Sequence, residues 1–216
     1  MQKTALVIGA TGLVGKNITE QLIRDERYGK VFIVSRRTAP FSHPKIEQIT
    51  IDFDNLLELK LQDTVDECYC ALGTTQKKSG KKGLYKVDFD YVKTTAKLCK
   101  ANNTPKFSVV SSNGANAKSV FFYMRTKGQM EEAIKNAGIK QVSIVRPSLI
   151  TGQREESRIS ESAGYYLYKI FQPFMIGKFR KLRPISAEKI ARCMIKLNQE
   201  EWDGNRIVES DEIAGY

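Results

Sequence analysis

Apolar residues along this chain follow two alternating rhythms. Short, nearly continuous runs, "TALVIGA", "KVFIVSR", "IEQITID", "ECYCALG", "KFSVVSS" and "QVSIVRPS", are bounded by glycine, proline or charged residues. Runs of this length and composition predict strands, several of them buried on both faces of a sheet. Between them apolar residues recur three and four apart. Residues 13–24 set Leu13, Ile18, Leu22 and Ile23 near one stripe, and residues 84–102 do the same with Leu84, Val87, Tyr91, Thr94, Leu98 and Ala101. Both patterns predict helices. Further helices are expected over 120–137 and 186–198, with Gly138 placed to end the first of these. After Arg146-Pro147 the alternation weakens. "ESAGYYLYKIFQPFMIG" reads as a partly apolar helix broken at Pro173, and "NRIV" as a short last strand. Strand–helix alternation predicts an α/β fold, a doubly wound parallel sheet.

The chain has 216 residues, enough for one sizeable core and short for two. It carries no internal repeat or low-complexity linker, so residues 1–216 are expected to form a single domain. Residues 159–216 make a smaller elaboration on the substrate side.

Composition narrows the function classes. No apolar run approaches the ~20 residues that a membrane helix needs. The N-terminal "MQKTALVIGATGLVG" has one lysine and then apolar residues, but glycines interrupt it, so it suits a buried first strand better than a signal peptide. A cytoplasmic location, with no membrane contact, is expected on that ground. Cys68, Cys70, Cys99 and Cys193 lack zinc-like spacing and suit a reduced core. A lone histidine, His43, leaves a histidine-based metal site or Ser-His-Asp triad without its parts, and no metal is expected. The net charge of +11 raises polyanion binding. Its one dense cluster, Lys77, Lys78, Lys81 and Lys82 in "KKSGKKG", lacks interleaved aromatics and is expected to be a solvated loop rather than a nucleic-acid site. A basic surface also suits a ligand with several phosphates.

The strongest chemical signal is "VIGATGLVG", in which Gly9, Gly12 and Gly15 follow the first strand and open the first helix. Such a turn lets the backbone approach a pyrophosphate and sets the phosphates on free helix N–H groups, with the Thr11 hydroxyl beside them. At the end of the second strand, "VSRR" has Ser35, Arg36 and Arg37 where an NAD-preferring protein places an acid. Two guanidiniums there suit a 2′-phosphate, so NADP(H) is the expected cofactor, unless they are ordinary surface arginines. Asp52, after the third strand, is placed either to accept from an adenine amino group or to cap the next segment.

Taken together, "GATGLVG", "VSRR", "CALGTTQKKSG", "VDFDYV", "VVSSNGA", "FFYMRTKGQMEE", "VRPSLITGQREESR" and "ARCMI" resemble the short-chain dehydrogenase/reductase superfamily. Within it they are similar to the atypical branch typified by the Tat-interacting-protein oxidoreductases and their bacterial relatives. The resemblance runs over nearly the whole chain and implies a Rossmann fold. It implies that Thr11, Gly12, Leu13 and Val14 lie under the pyrophosphate, with Arg36 and Arg37 at the 2′-phosphate. It also implies that Leu72 and Gly73 line the cofactor ribose, that Tyr123 and Lys127 form a YxxxK couple, and that Ile150 and Arg158 close over the nicotinamide end. The superfamily's Asn-Ala-Gly motif is replaced by "ALGTT", and its serine is either Ser111 or Ser112. The branch is also associated with regulatory partner binding.

Tyr165 and Lys169 repeat the YxxxK spacing. Tyr123 is preferred because its helix follows the strand ending in "VVSS", which brings Ser112 toward the same sheet edge. Tyr165 has no such serine, and its neighbours suggest packing or a lid. Residues i and i+4 share a helix face, so Lys127 lies beside Tyr123, and an ammonium beside a phenol favours the phenolate. The expected activity is reduction of a small carbonyl or quinone, with Tyr123 as proton donor and Ser112 holding the carbonyl. The alternative is an NADP(H)-binding, redox-sensing regulatory protein with little turnover. The apolar segment 159–183 walls the substrate pocket or else forms core or a dimer surface, and a protein partner or homodimer stays open.

Overall fold

The computed structural model describes residues 2–152 and 183–216. Its strands are β1 (Lys3–Ile8), β2 (Tyr28–Ser35), β3 (Ile46–Thr50), β4 (Glu67–Cys70), β5 (Lys106–Val110), β6 (Gln141–Arg146), β7 (Ile150–Thr151), β8 (Ile185–Ser186) and β9 (Gly204–Glu209). The described helices are α1 (Leu13–Arg24), α2 (Gln76–Tyr85), α3 (Tyr91–Ala101), α4 (Phe122–Lys135), α5 (Ala187–Gln199) and α6 (Ser210–Ile213). Seven strands form one sheet in the order β3-β2-β1-β4-β5-β6-β9, and every adjacent pair is parallel. β7 and β8 pair separately. This is the doubly wound, Rossmann-like α/β fold expected. The C-terminal residues contribute to the main sheet itself, since β9 forms its edge beside β6.

Alternating strand residues feed two cores. Ala5, Val7, Val31, Ile33 and Val145 meet α1 and α5 on one face. Leu6, Ile8, Phe32, Phe107 and Ile144 meet α3 and α4 on the other. Each fully buried Leu, Ile or Phe adds about 1.5–3 kcal/mol over its exposed state. Cys68, Cys70 and Cys99 sit in the second core and Cys193 in the first, all as free thiols. Burial pushes the thiols of Cys70 and Cys193 up to about 12, so they stay protonated and unreactive.

The structure differs from the sequence-based expectation at two neighbouring places. The basic stretch Lys77–Lys82 is helical: α2 spans it, with a break at Gly80, where φ is 66° and ψ 179°. Its four lysines are exposed. The long helix expected from residue 84 onward then contains a π-turn, Lys86–Asp90. A π-turn inserts an extra residue and rotates the rest of the helix relative to its start. The predicted stripe put Val87 and Thr94 inward, whereas Asp88 and Thr95 are the buried residues. Leu84, Tyr91 and Leu98 of the expected stripe stay buried, so Asp88 and Thr95 share their helix face at i+4 and i+11 from Leu84.

At the N-terminal end of the sheet the core is polar. Glu67, fully buried, accepts from Tyr28 Oη at 2.6 Å, Tyr69 Oη at 2.5 Å and Lys3 Nζ at 2.6 Å. Burial, followed by the Glu67 charge, raises the Tyr28 phenol well above its ordinary value, so it remains a donor. Tyr28→Phe removes one donor from a buried carboxylate. We expect a loss of about 1–3 kcal/mol in unfolding free energy by urea denaturation, with the fold retained.

Candidate functional site

β1 and β4 are neighbours, yet the chain leaves them toward opposite ends of the sheet, which opens a crevice beyond their carboxyl ends. The glycine turn occupies it. Gly9 has φ +92°, and a Cβ there would stand 2.7 Å from the Ala71 carbonyl at the end of β4. A Cβ on Gly15 would stand 2.1 Å from Gly9 O, so α1 sits directly on the turn. Gly12 N–H donates to Gly9 O at 2.9 Å and Gly12 is the N-cap of α1. That helix has no side-chain cap and no acidic residue in its first turn, which leaves its N–H groups and dipole facing the crevice. Leu13 is half-buried beside Gly152, and Val14 points into the core.

A groove of about 450 Å³ runs from this turn. Thr11, Gly12, Arg36, Leu72 and Gly73 line it, together with Ser79 and Lys86, which sequence reasoning did not single out. Arg36 and Arg37 are both exposed, and among the described residues neither forms an ion pair with a carboxylate. The Arg36 guanidinium lies over the Phe53 ring, 5.9 Å from its centroid. Asp52 serves as the cap foreseen as one of its two roles, accepting from Asp54 N at 3.1 Å. Lys86 is held by Asp54 at 2.7 Å. A larger cavity of about 680 Å³, lined by Arg183 and residues of α5 and α6, contains none of the glycine-turn residues.

The second half of the site is built on β5 and α4. Ser111 is buried and donates to Glu131, which also takes two hydrogen bonds from Arg146, at 2.9 and 2.6 Å. Arg146 in turn reaches Glu209 at 2.9 Å. The neighbouring carboxylates, Glu131 first, raise the Arg146 pKa further. This network engages the Ser111 hydroxyl and joins β5, β6, β9 and α4. Ser112 is half-buried, and its hydroxyl makes only a long contact of 3.3 Å with Asn113 O. Gly128 lets α4 lie on the loop before it, since a Cβ would stand 2.1 Å from Ala117 N. Tyr123 is half-buried in the first turn of α4, with Lys127 one turn later.

Lys127 is buried, and its ammonium lies 2.8 Å from Asp88 Oδ1 and 3.4 Å from Val110 O. The Asp88 contact is an ion pair rather than an aligned hydrogen bond, because Oδ1 has no donor in hydrogen-bond geometry. The other oxygen, Oδ2, accepts from Thr74 N at 2.9 Å. Burial works against the charged lysine, yet the Asp88 carboxylate, with Tyr123 adding, leaves its pKa above the usual value. Sequence reasoning missed Asp88 and Glu131. The available signal was a carboxylate on a stripe that should be apolar, in "VDFDYV" and "GQMEEAI". Ile150 lies half-buried in β7 against the first core. Arg158, the Tyr165–Lys169 copy and segment 159–182 lie outside the described residues.

A family described as NAD(P)H-binding matches residues 9–201. Protein HTATIP2 of Rattus norvegicus is 32% identical over 163 residues, covering 74% of this chain and 67% of its own length. Protein fmp52, mitochondrial, of Aspergillus fumigatus is 35% identical over 207 residues, covering 92% and 88%. Among solved structures, WbmH of Bordetella bronchiseptica in complex with NAD+ superposes with a TM-score of 0.69 at 16% identity, covering 97% of this chain and 76% of that one. The UDP-glucuronic acid 4-epimerase of Bacillus cereus in complex with NAD gives 0.68 at 16%, covering 95% and 78%. The resemblance to the Tat-interacting-protein branch therefore stands. The expected cytoplasmic location does not: relatives from several fungi are named mitochondrial. No helix among the described residues is long and apolar enough to cross a membrane.

Gly9→Ala places a methyl group at a positive φ and against Ala71. It should cost about 1–3 kcal/mol of stability by thermal or urea unfolding and weaken dinucleotide binding measured by fluorescence titration.

Proposed function

The chain belongs to the NAD(P)H-binding family, and from that premise we propose that it is an NADPH-dependent oxidoreductase reducing a small carbonyl or quinone-like compound. The observation that carries the reading is the exposed pair Arg36–Arg37 after β2, without carboxylate partners among the described residues, with Arg36 lining the groove that holds the uncapped N-terminus of α1. Two cations and no acid at that strand end favour a ligand with a 2′-phosphate over one with a free ribose hydroxyl. The NAD in the structural neighbours speaks to the shared fold, not to this chain's preference.

In this reading the α1 N–H groups of Leu13 and Val14 hold the pyrophosphate, with Thr11 and Gly12 beside them. Leu72 and Gly73 flank the ribose. A bound nicotinamide dinucleotide supplies the hydride. Lys127 holds the nicotinamide ribose hydroxyls and Ser112 orients the substrate carbonyl. Tyr123 gives its phenolic proton to the carbonyl oxygen. Ile150, and Arg158 beyond the described residues, close the nicotinamide end. The apolar composition of segment 159–183 favours a hydrophobic substrate.

One observation favours a second reading, a protein that binds NADP(H) as a redox signal with little turnover. The Lys127 charge expected to assist Tyr123 is already balanced by Asp88.

Affinity separates these readings from failure of both. NADPH should bind more tightly than NADH, and Arg36→Glu with Arg37→Glu should weaken NADPH by at least about tenfold while sparing NADH. Equal affinities would remove the 2′-phosphate assignment. With a carbonyl and quinone panel, Tyr123→Phe should lower NADPH consumption by about 10²–10⁴-fold at unchanged cofactor affinity. Tight NADPH binding without turnover in the wild type would select the second reading.

A further inference from the structure

Among the described residues, Asp88 is the carboxylate paired with Lys127, and the proposed mechanism makes no use of it. It is 1% exposed and its partner 2%. An aspartate so deeply buried needs a reason, because an unpaired charge there is strongly disfavoured. Three features place it. Asp88 lies in the π-turn Lys86–Asp90, on the buried face that it shares with Leu84 and Tyr91. The Thr74 N–H fixes Oδ2. Oδ1 is left for the ammonium alone, and a Cβ on Gly73 would stand 3.6 Å from it.

The carboxylate therefore spans two parts of the proposed site: the segment Leu72–Thr74 that lines the groove, and the lysine of the Tyr123 couple. It also explains how "ALGTT" is held without the superfamily's Asn-Ala-Gly motif. We propose that Asp88 is a positioning residue that keeps Lys127 charged and tied to the Leu72–Thr74 segment, so that the cofactor groove and the Tyr123–Lys127 couple move as one unit. The inference rests on the NADP(H) reading for its kinetic consequences but not for the ion pair itself.

The charged and titratable groups facing Lys127 are Asp88 from the π-turn, Tyr123 from α4 itself and Cys70 from β4. Cys70 is pushed up to about 12 by burial, so it stays neutral through ordinary assay conditions. With Asp88 in place, the raised Lys127 remains an ammonium. Without it, the burial that opposes the charge is no longer countered, and the amine loses its proton at lower pH.

The test compares wild type with Asp88→Asn and Asp88→Glu for NADPH affinity and for carbonyl-dependent NADPH consumption. In the wild type, neither should show a lysine transition between about pH 6 and about pH 9. Asp88→Asn should acquire one, losing about tenfold in affinity or turnover across that window. Asp88→Glu, which keeps the charge, should restore the flat profile at reduced turnover. A merely structural aspartate would give a loss uniform with pH, and that result would overturn the proposal. Should Asp88→Asn fail to fold, the wild type alone decides through its lysine ¹⁵Nζ and ¹³Cε resonances, with that of Lys127 assigned by its loss in Lys127→Arg. An ammonium persisting beyond about pH 10 supports the pair, and deprotonation near neutrality contradicts it. If the wild type binds no dinucleotide, the functional reading fails while the same resonance still decides for Asp88.

Discussion

No side-chain atom fits between α1 and the turn that precedes it. A single methyl group on Gly15 would stand 2.1 Å from the Gly9 carbonyl oxygen, and one on Gly9 would meet the end of β4 at 2.7 Å. That exclusion brings the N-terminus of α1 onto the crevice between β1 and β4 with its N–H groups uncapped. The rest of the site is arranged around this point. β2 ends with Arg36 on the same groove, and β4 ends with Leu72 and Gly73 on its other side. The parallel sheet makes this possible because every strand delivers its carboxyl end to one edge.

Two buried carboxylates hold the elements that carry Ser111, Tyr123 and Lys127 to that edge. Glu131 engages Ser111 and Arg146, and so joins α4 to the ends of β5 and β6. Asp88 engages Thr74 N and Lys127, and so joins the groove to α4. Each stands where core packing alone would call for an apolar residue. A buried ionic group is weak evidence of stability, since a hydrophobic replacement is often as stable. Both sit beside the candidate catalytic residues, which fits positioning better than stability as their reason.

The fold was largely legible in the sequence, because strands buried on both faces and the three glycines leave local signals. "TALVIGA" and "KVFIVSR" became β1 and β2, and Gly9, Gly12 and Gly15 lie at the expected crossing. Less legible was whatever depended on backbone geometry away from the regular periods. The helical character of Lys77–Lys82 was hidden by its glycines and charge. The expected stripe took Val87 rather than Asp88 as inward, although Asp88 shares the buried face with Leu84 and Tyr91, and so Asp88 was passed over. Ser111 and Ser112 are adjacent and alike in sequence, and only the contact with Glu131 tells them apart. Location was misread for another reason: it was inferred from composition alone, and the correction came from relatives named mitochondrial.

In the proposed reading the glycine turn, the arginine pair and the Asp88-tethered couple form one continuous dinucleotide site. Hydrogen–deuterium exchange on the full chain, with and without saturating NADPH, tests it most directly. One continuous site predicts protection together at residues 9–15, 35–37, 72–74 and the start of α4. Protection limited to the glycine turn, or none at all, would contradict it.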